Sequence, residues 1–207
     1  MSPSRTRRTH QDVFTRAGPE AVTYDLSVRD QARIRVPVGS AWTSGAHWHD
    51  SHTEFLRVLS GRARVTLSGR TFCVGPDDGV VTVPRGAVHE WRRDEEEEGE
   101  GEGSGQAGPE DLVVREWTEP KDGAKEMFFR NLNGIILDTS MRRGGRFGGE
   151  ALLTLELWNL FWRADNYPVT LGTGRVGGVA TRAAMGVAVV LGWVLGRTGV
   201  YEEYSSK

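Results

Sequence analysis

At 207 residues the chain has room for one domain with additions, enough to bury a substantial core. Its formal net charge of -2 hides a local imbalance: a basic start (Arg5, Arg7, Arg8, Arg16), an acidic run over 94–102, and a basic patch at Arg142, Arg143 and Arg146. The basic clusters lack interleaved aromatics and any recognisable binding motif, which argues against a nucleic-acid module, and the single cysteine, Cys73, excludes an internal disulfide and suits a reducing compartment.

The first residues carry charge with no apolar run behind it, so a secretory signal is not expected and a cytoplasmic location is. Residues 24–117 then read as short strands separated by turn signals. Residues 33–38 alternate polar and apolar, 54–59 run into Ser60 and Gly61, and 62–67 alternate again into Ser68 and Gly69. Residues 71–74 continue the pattern, with Cys73 expected as a buried, inert thiol. A dense turn over 75–79 precedes the apolar run 80–83, and 87–91 reads as the next strand. Residues 94–108 are low in complexity, rich in Glu and Gly, and read as a disordered, solvated hairpin insertion; an acidic metal-storage or partner-binding tail is the other reading. The strand pattern resumes at 112–117.

After Pro120 the character becomes helical. Residues 124–137 place Met127, Phe128, Asn131 and Ile135 at mixed helical spacing, and 151–161 carry Leu152, Leu153, Leu155, Leu160 and Phe161. A flexible, Gly- and Arg-rich link is expected between them over 142–149. Residues 176–196 are apolar apart from Thr181 and Arg182, with 14 charge-free residues over 183–196. Fourteen falls short of the roughly 18–20 needed to span a bilayer, which favours a helix packed on the barrel. Trp158, Trp162, Trp193 and the flanking arginines leave membrane association through this helix open.

The densest chemical signal is His47-Trp48-His49 followed by Glu54, Gly61, Pro84, Gly86 and His89. Two histidines two apart on a strand face the same side, as two ligands of one ion require. Glu54 sits at an odd offset from His49, so the chain must bend between them, and Asp50, Ser51 and His52 suit that bend. The pattern H-x-H-x4-E-x6-G with a later P-x-G-x2-H resembles the two signature motifs of the cupin superfamily over roughly 38–93. The resemblance implies a mainly β fold, a single jelly-roll barrel of the double-stranded β-helix type, here with a C-terminal helical extension. It also implies that His47, His49, Glu54 and His89 bind one divalent metal, iron first, with manganese, nickel, zinc or copper as the other occupants. Ala41 and Arg93 depart from the family's usual glycine and asparagine without touching a ligand. His52 is an extra histidine, readable as an exposed turn residue or as a proton-transfer residue beside the metal, and it is the one catalytic candidate.

On these readings residues 1–20 form an N-terminal arm, 21–120 the barrel and 121–207 the helical extension. A nitrogen and oxygen donor set without thiolate favours a first-row dication with open positions, competent for oxidation, isomerisation or hydrolysis. Trp42, Trp48, Phe55 and Trp91 are candidates for an aromatic substrate pocket, ordinary core packing being the alternative for each. The chain further resembles small fungal cupins associated with polyketide biosynthesis, including cupin-type oxidoreductases, through His47 to Phe55, Val80 to Arg85, Val88 to Trp91, Val114 to Trp117 and Asp165 to Pro168. That resemblance implies a metal-dependent oxidoreductase acting on an aromatic or polyketide-derived small molecule. A metal-dependent isomerase or cyclase, and a non-catalytic small-molecule-binding cupin, stay open, as does homodimer formation.

Overall fold

The computed structural model describes residues 4–95, 110–141, 149–172 and 174–205. Period-two burial builds its strands. In β3 (Gln31–Val36) Ala32, Ile34 and Val36 are buried and the residues between them are not, and β5 (Thr53–Ser60) buries Glu54, Leu56 and Val58 in the same way. With β1 (Val13–Arg16), β2 (Val22–Asp25), β8 (Val80–Val83) and β10 (Leu112–Glu119) they form a six-stranded antiparallel sheet in the order β1-β2-β3-β10-β5-β8. The second sheet runs β11-β4-β9-β6-β7, from β4 (His47–Trp48), β6 (Ala63–Leu67), β7 (Arg70–Val74), β9 (His89–Arg93) and β11 (Tyr167–Pro168). One buried cluster draws Ile34, Leu56 and Val114 from the first sheet and Ala63, Val65 and Trp91 from the second, so the sheets pack face to face.

Gly61 explains the glycine of the first motif. It turns β5 into β6 at φ +71°, and a Cβ there would sit 2.9 Å from the carbonyl oxygen of Asp111.

Three helices follow: α1 (Ala124–Met141), α2 (Gly149–Arg163) and α3 (Gly174–Val194). Helix α1 packs on β3 and sends Phe128, Phe129 and Ile135 into the core, with the Phe129 ring 5.1 Å from that of Tyr24. Helix α3 packs on α2 and β11 rather than along the long barrel strands. Its buried stripe is Gly177, Thr181, Met185, Ala188 and Gly192, small enough for close approach, and its opposite side exposes Val176, Val179, Val187, Val190 and Trp193. At 21 residues, with an 18-residue window of mean hydropathy 1.5, α3 is long and apolar enough to cross a membrane by length and composition, and 28% of that window is buried inside the protein. The count of fourteen missed this because Arg182, which bonds Asp50, does not end the helix.

The sequence boundaries shift in three places. Residues 13–16, expected in the arm, form the edge strand β1, and β11 brings the helical extension into the second sheet. Asp94, expected in the acidic insertion, is buried and accepts from the Arg64 guanidinium at 2.8 and 3.1 Å, because it continues past β9 into the ordered wall. The remainder of that insertion, 96–108, lies outside the described residues, as do 142–148 of the expected link. Cys73 is half-buried on β7 rather than buried.

Candidate metal centre

The second sheet brings the histidines together by register. His47 on β4 pairs directly with His89 on β9, which sets their rings 4.2 Å apart. His49 lies just beyond β4, its ring 5.0 Å from that of His47 and 5.3 Å from that of His89. Glu54 enters from the opposite sheet. One ligand atom from each of the four residues falls within 4.8 Å of all the others, and every one of the four is between 1% and 8% exposed.

The bend that separates His49 from Glu54 is built by a residue far along the chain. The Asp165 carboxylate accepts the backbone N–H groups of Asp50, Ser51 and His52 at 3.0, 2.7 and 3.1 Å, a compact anion nest. The same carboxylate bonds His52 Nδ1 at 2.7 Å, while Asp122 lies 3.2 Å from His52 Nε2. His52 is therefore 8% exposed between two carboxylates, not an exposed turn histidine.

Hydrogen bonding fixes which face each imidazole presents. His47 Nδ1 lies 2.7 Å from the Gly45 carbonyl, His49 Nδ1 2.6 Å from that of Asp165, and His89 Nδ1 3.0 Å from that of Ala87. A carbonyl oxygen only accepts, so each Nδ1 carries a proton, and a ring that is neutral then turns an Nε2 lone pair inward. His49 Nε2 and His89 Nε2 then stand 3.1 Å from the two Glu54 oxygens, acceptor against acceptor. That arrangement calls for a cation between them, either a metal ion or an extra proton.

The charges around the cluster follow the same logic. Burial alone would raise the Glu54 pKa, yet Lys125 and His89 hold it well below the usual carboxylate range. His47 is pushed well below its ordinary value by burial and by the neighbouring His89 and His49. His89 is raised, because Glu54 outweighs the burial that would lower it. Burial also lifts Glu116, assisted by Glu54, while Lys125 opposes burial through both carboxylates and stays firmly charged. The lysine donates to Glu54 Oε2 at 2.7 Å and to Glu116 Oε1 at 2.5 Å, and Trp91 Nε1 donates to the other Glu116 oxygen at 3.2 Å.

Residues 32–100 match the family Cupin_2, described as cupin domain. This segment is a cupin domain. Among curated proteins, a "Probable oxidoreductase virH" of Hypocrea virens is 31% identical over 119 residues, covering 55% of this chain and 49% of that protein. A "Probable oxidoreductase patJ" of Penicillium expansum is 25% identical over 148 residues, covering 64% of this chain and 41% of the relative. The chain thus spans less than half the length of these relatives. Among solved structures, KdgF from Halomonas sp. is similar at TM-score 0.37 and 16% identity over 58% of this chain and 97% of that one. A predicted oxalate decarboxylase from Thermotoga maritima is similar at TM-score 0.37 and 16% identity over 57% and 91%.

Between this segment and the later residues the space beside the cluster is small. A cavity of about 20 Å³ is lined by His49, His52, Thr118, Lys125, Phe128 and Asn166 among others, room for a water or a diatomic molecule. None of the four aromatic pocket candidates lines it. Trp42 and Trp91 pack edge to face in the core at 4.8 Å, and only Trp91 touches the buried charges. Strand alternation carries Phe55 to the face opposite Glu54, where it stacks on Trp117 at 5.4 Å. Trp48 likewise turns away from its histidine neighbours, stacks on Tyr167 and lines a wider groove of about 510 Å³ with Asp50, Val88, Val169, Arg175 and Arg182.

Three residues central to the geometry went unassigned in the sequence: Glu116, Lys125 and Asp165. Glu116 had a signal, since Val114, Glu116 and Thr118 alternate on β10 and put a carboxylate on the buried face. Lys125 had none and Asp165 only its place in the fungal-cupin resemblance, because Lys125 meets Glu54 across 71 positions and Asp165 meets the 50–52 bend across 113 to 115.

Proposed function

We propose that the protein is a metal-dependent cupin oxidoreductase acting on an aromatic or polyketide-derived small molecule. The observation that carries the metal is the convergence of three imidazoles, each with Nδ1 committed to a backbone carbonyl, and one buried carboxylate, with a ligand atom of each within 4.8 Å of all the others. His47, His49, Glu54 and His89 would hold one first-row dication, iron first, and such an ion supplies Lewis acidity and, for iron or copper, redox capacity. The curated relatives carry the name probable oxidoreductase, which supports the reaction class.

The chain's own residues define the rest. Nδ1 bonds to Gly45, Asp165 and Ala87 orient the imidazoles, and burial keeps bulk water out. His52, held by Asp165 and Asp122 beside the small cavity, is placed to exchange a proton with a molecule bound there. A ring-sized substrate does not fit in about 20 Å³, so its approach requires α1 and the 164–166 turn to move outward. A cupin that binds a small molecule without turnover is the second reading.

Oxygen uptake and product mass with candidate aromatic polyketide intermediates test the proposal. A product shifted by oxygen or by two hydrogens is the expected result. An isomeric product formed equally well without oxygen would establish an isomerase or cyclase, and binding without any product would establish the second reading.

A further inference from the structure

Helix α1 enters the site with one side chain. Lys125 is 8% exposed, its Nζ lies between Glu54 and Glu116, and the Phe129 ring stands 5.7 Å away. Glu116 is held on its other oxygen by Trp91 Nε1, so it fixes the lysine while being fixed itself. Glu54 is divided as a result: Oε1 faces His89 at 3.1 Å, whereas Oε2 faces His49 at 3.1 Å and also carries the ammonium at 2.7 Å. An ammonium bonded to a carboxylate oxygen draws off its electron density, and a second cation nearby repels an incoming dication.

We propose that Lys125 is a positioning residue that sets the donor number and the strength of the metal centre. It occupies Glu54 Oε2, leaves Oε1 as the carboxylate donor, and opposes the metal with its own charge. The inference rests on the metal-binding reading above. Two substitutions then act with opposite sign. Lys125→Met frees Oε2 and removes a like charge, tightening metal binding on the order of tenfold or more. Glu116→Gln removes a negative charge and turns the ammonium wholly onto Glu54, weakening binding by a similar factor. A lysine that served only to hold the fold together would give looser binding in both variants.

The test is titration of cobalt(II) into the chelator-treated protein, with visible absorption reading both Kd and coordination number. The wild type, Lys125→Met, Glu116→Gln and the double variant are compared. The proposal expects Lys125→Met to bind tighter than wild type with weaker visible bands, as a second carboxylate oxygen joins the metal, and Glu116→Gln to bind more weakly. A Kd for Lys125→Met equal to or weaker than wild type overturns it. Should Lys125→Met fail to fold, the double variant against Glu116→Gln reads the same lysine effect without leaving a second carboxylate unbalanced; tighter binding in the double variant supports the proposal, and equal or weaker binding overturns it. A wild type that binds no cobalt at all marks failure of the metal reading itself, which no difference among variants can mimic.

Discussion

The segment 32–95 and the segment 112–168 divide one site between them. The first supplies every proposed ligand, on β4, just beyond it, on β5 and on β9, and orients His47 and His89 through the Gly45 and Ala87 carbonyls; the second supplies the counter-charges and the anchor of the bend, through Glu116, Lys125, Asp165 and the β11 edge that pairs with β4. Donor atoms can sit at fixed offsets in a short window because a strand repeats every two residues. Counter-charges and backbone anchors need only proximity in space, and the fold delivers them from helices and turns far along the chain.

Substitutions that break one half of this division should differ in kind from those that break the other. Replacing His49 or His89 by alanine should abolish stoichiometric metal binding, with a loss of about 100-fold or more in affinity, whereas His52→Ala should leave it nearly unchanged. Metal analysis of the three purified variants checks this, and equal loss in all three would assign His52 to the ligand set. Asp165→Ala removes the acceptor for three backbone N–H groups and His52. It should cost roughly 2–4 kcal/mol in chemical denaturation and weaken metal binding by about 10-fold as the His49-to-Glu54 bend loosens. A stability loss with unchanged affinity would separate the bend from the site.

Asp138 offers a comparison remote from the cluster. Its carboxylate accepts from the Thr6 N–H at 2.7 Å, from Arg8 at 2.8 Å and from the Tyr204 hydroxyl at 2.8 Å, joining the N-terminal residues to α1. Burial would raise its pKa, but these donors lower it. A depressed carboxylate stabilises the fold above its unfolded value of about 3.9 and loses that contribution as pH falls through the folded value. Asp138→Asn should therefore cost roughly 1–3 kcal/mol at neutral pH, with the gap to wild type closing below about pH 4, and leave metal affinity intact. Urea titrations at pH 7 and pH 3.5 measure both points; a constant gap would mean the charge is not what matters. The smallest effect belongs to Phe55→Ala, which removes the stack on Trp117 on the outer face and should cost about 1 kcal/mol without changing metal affinity.

Much of the donor set was legible because it obeys strand geometry. His47 and His49 share a face by their spacing, the odd offset to Glu54 demanded a bend, and the bend is present at 50–52. The same rule, applied to Trp48 and Phe55, places them opposite their ligand neighbours, Phe55 stacked on Trp117 and Trp48 lining the wider groove. His52 follows no such rule: its burial depends on Asp122 and Asp165, residues 70 and 113 positions away. Lys125 sits one residue into a helix whose amphipathic pattern says only that a face is buried, not that the face meets two carboxylates. Asp94 shows the converse error, a residue grouped by composition with its acidic neighbours although Arg64 ties it to the wall.

The central claim is that the four buried donors form one metal site, and elemental analysis of protein purified without chelators or an affinity metal tests it most directly. The account predicts close to one first-row transition metal per chain in the wild type and a loss of that metal in His89→Ala at retained secondary structure. A folded wild type that stays metal-free after incubation with iron, manganese, nickel, zinc or copper would contradict it.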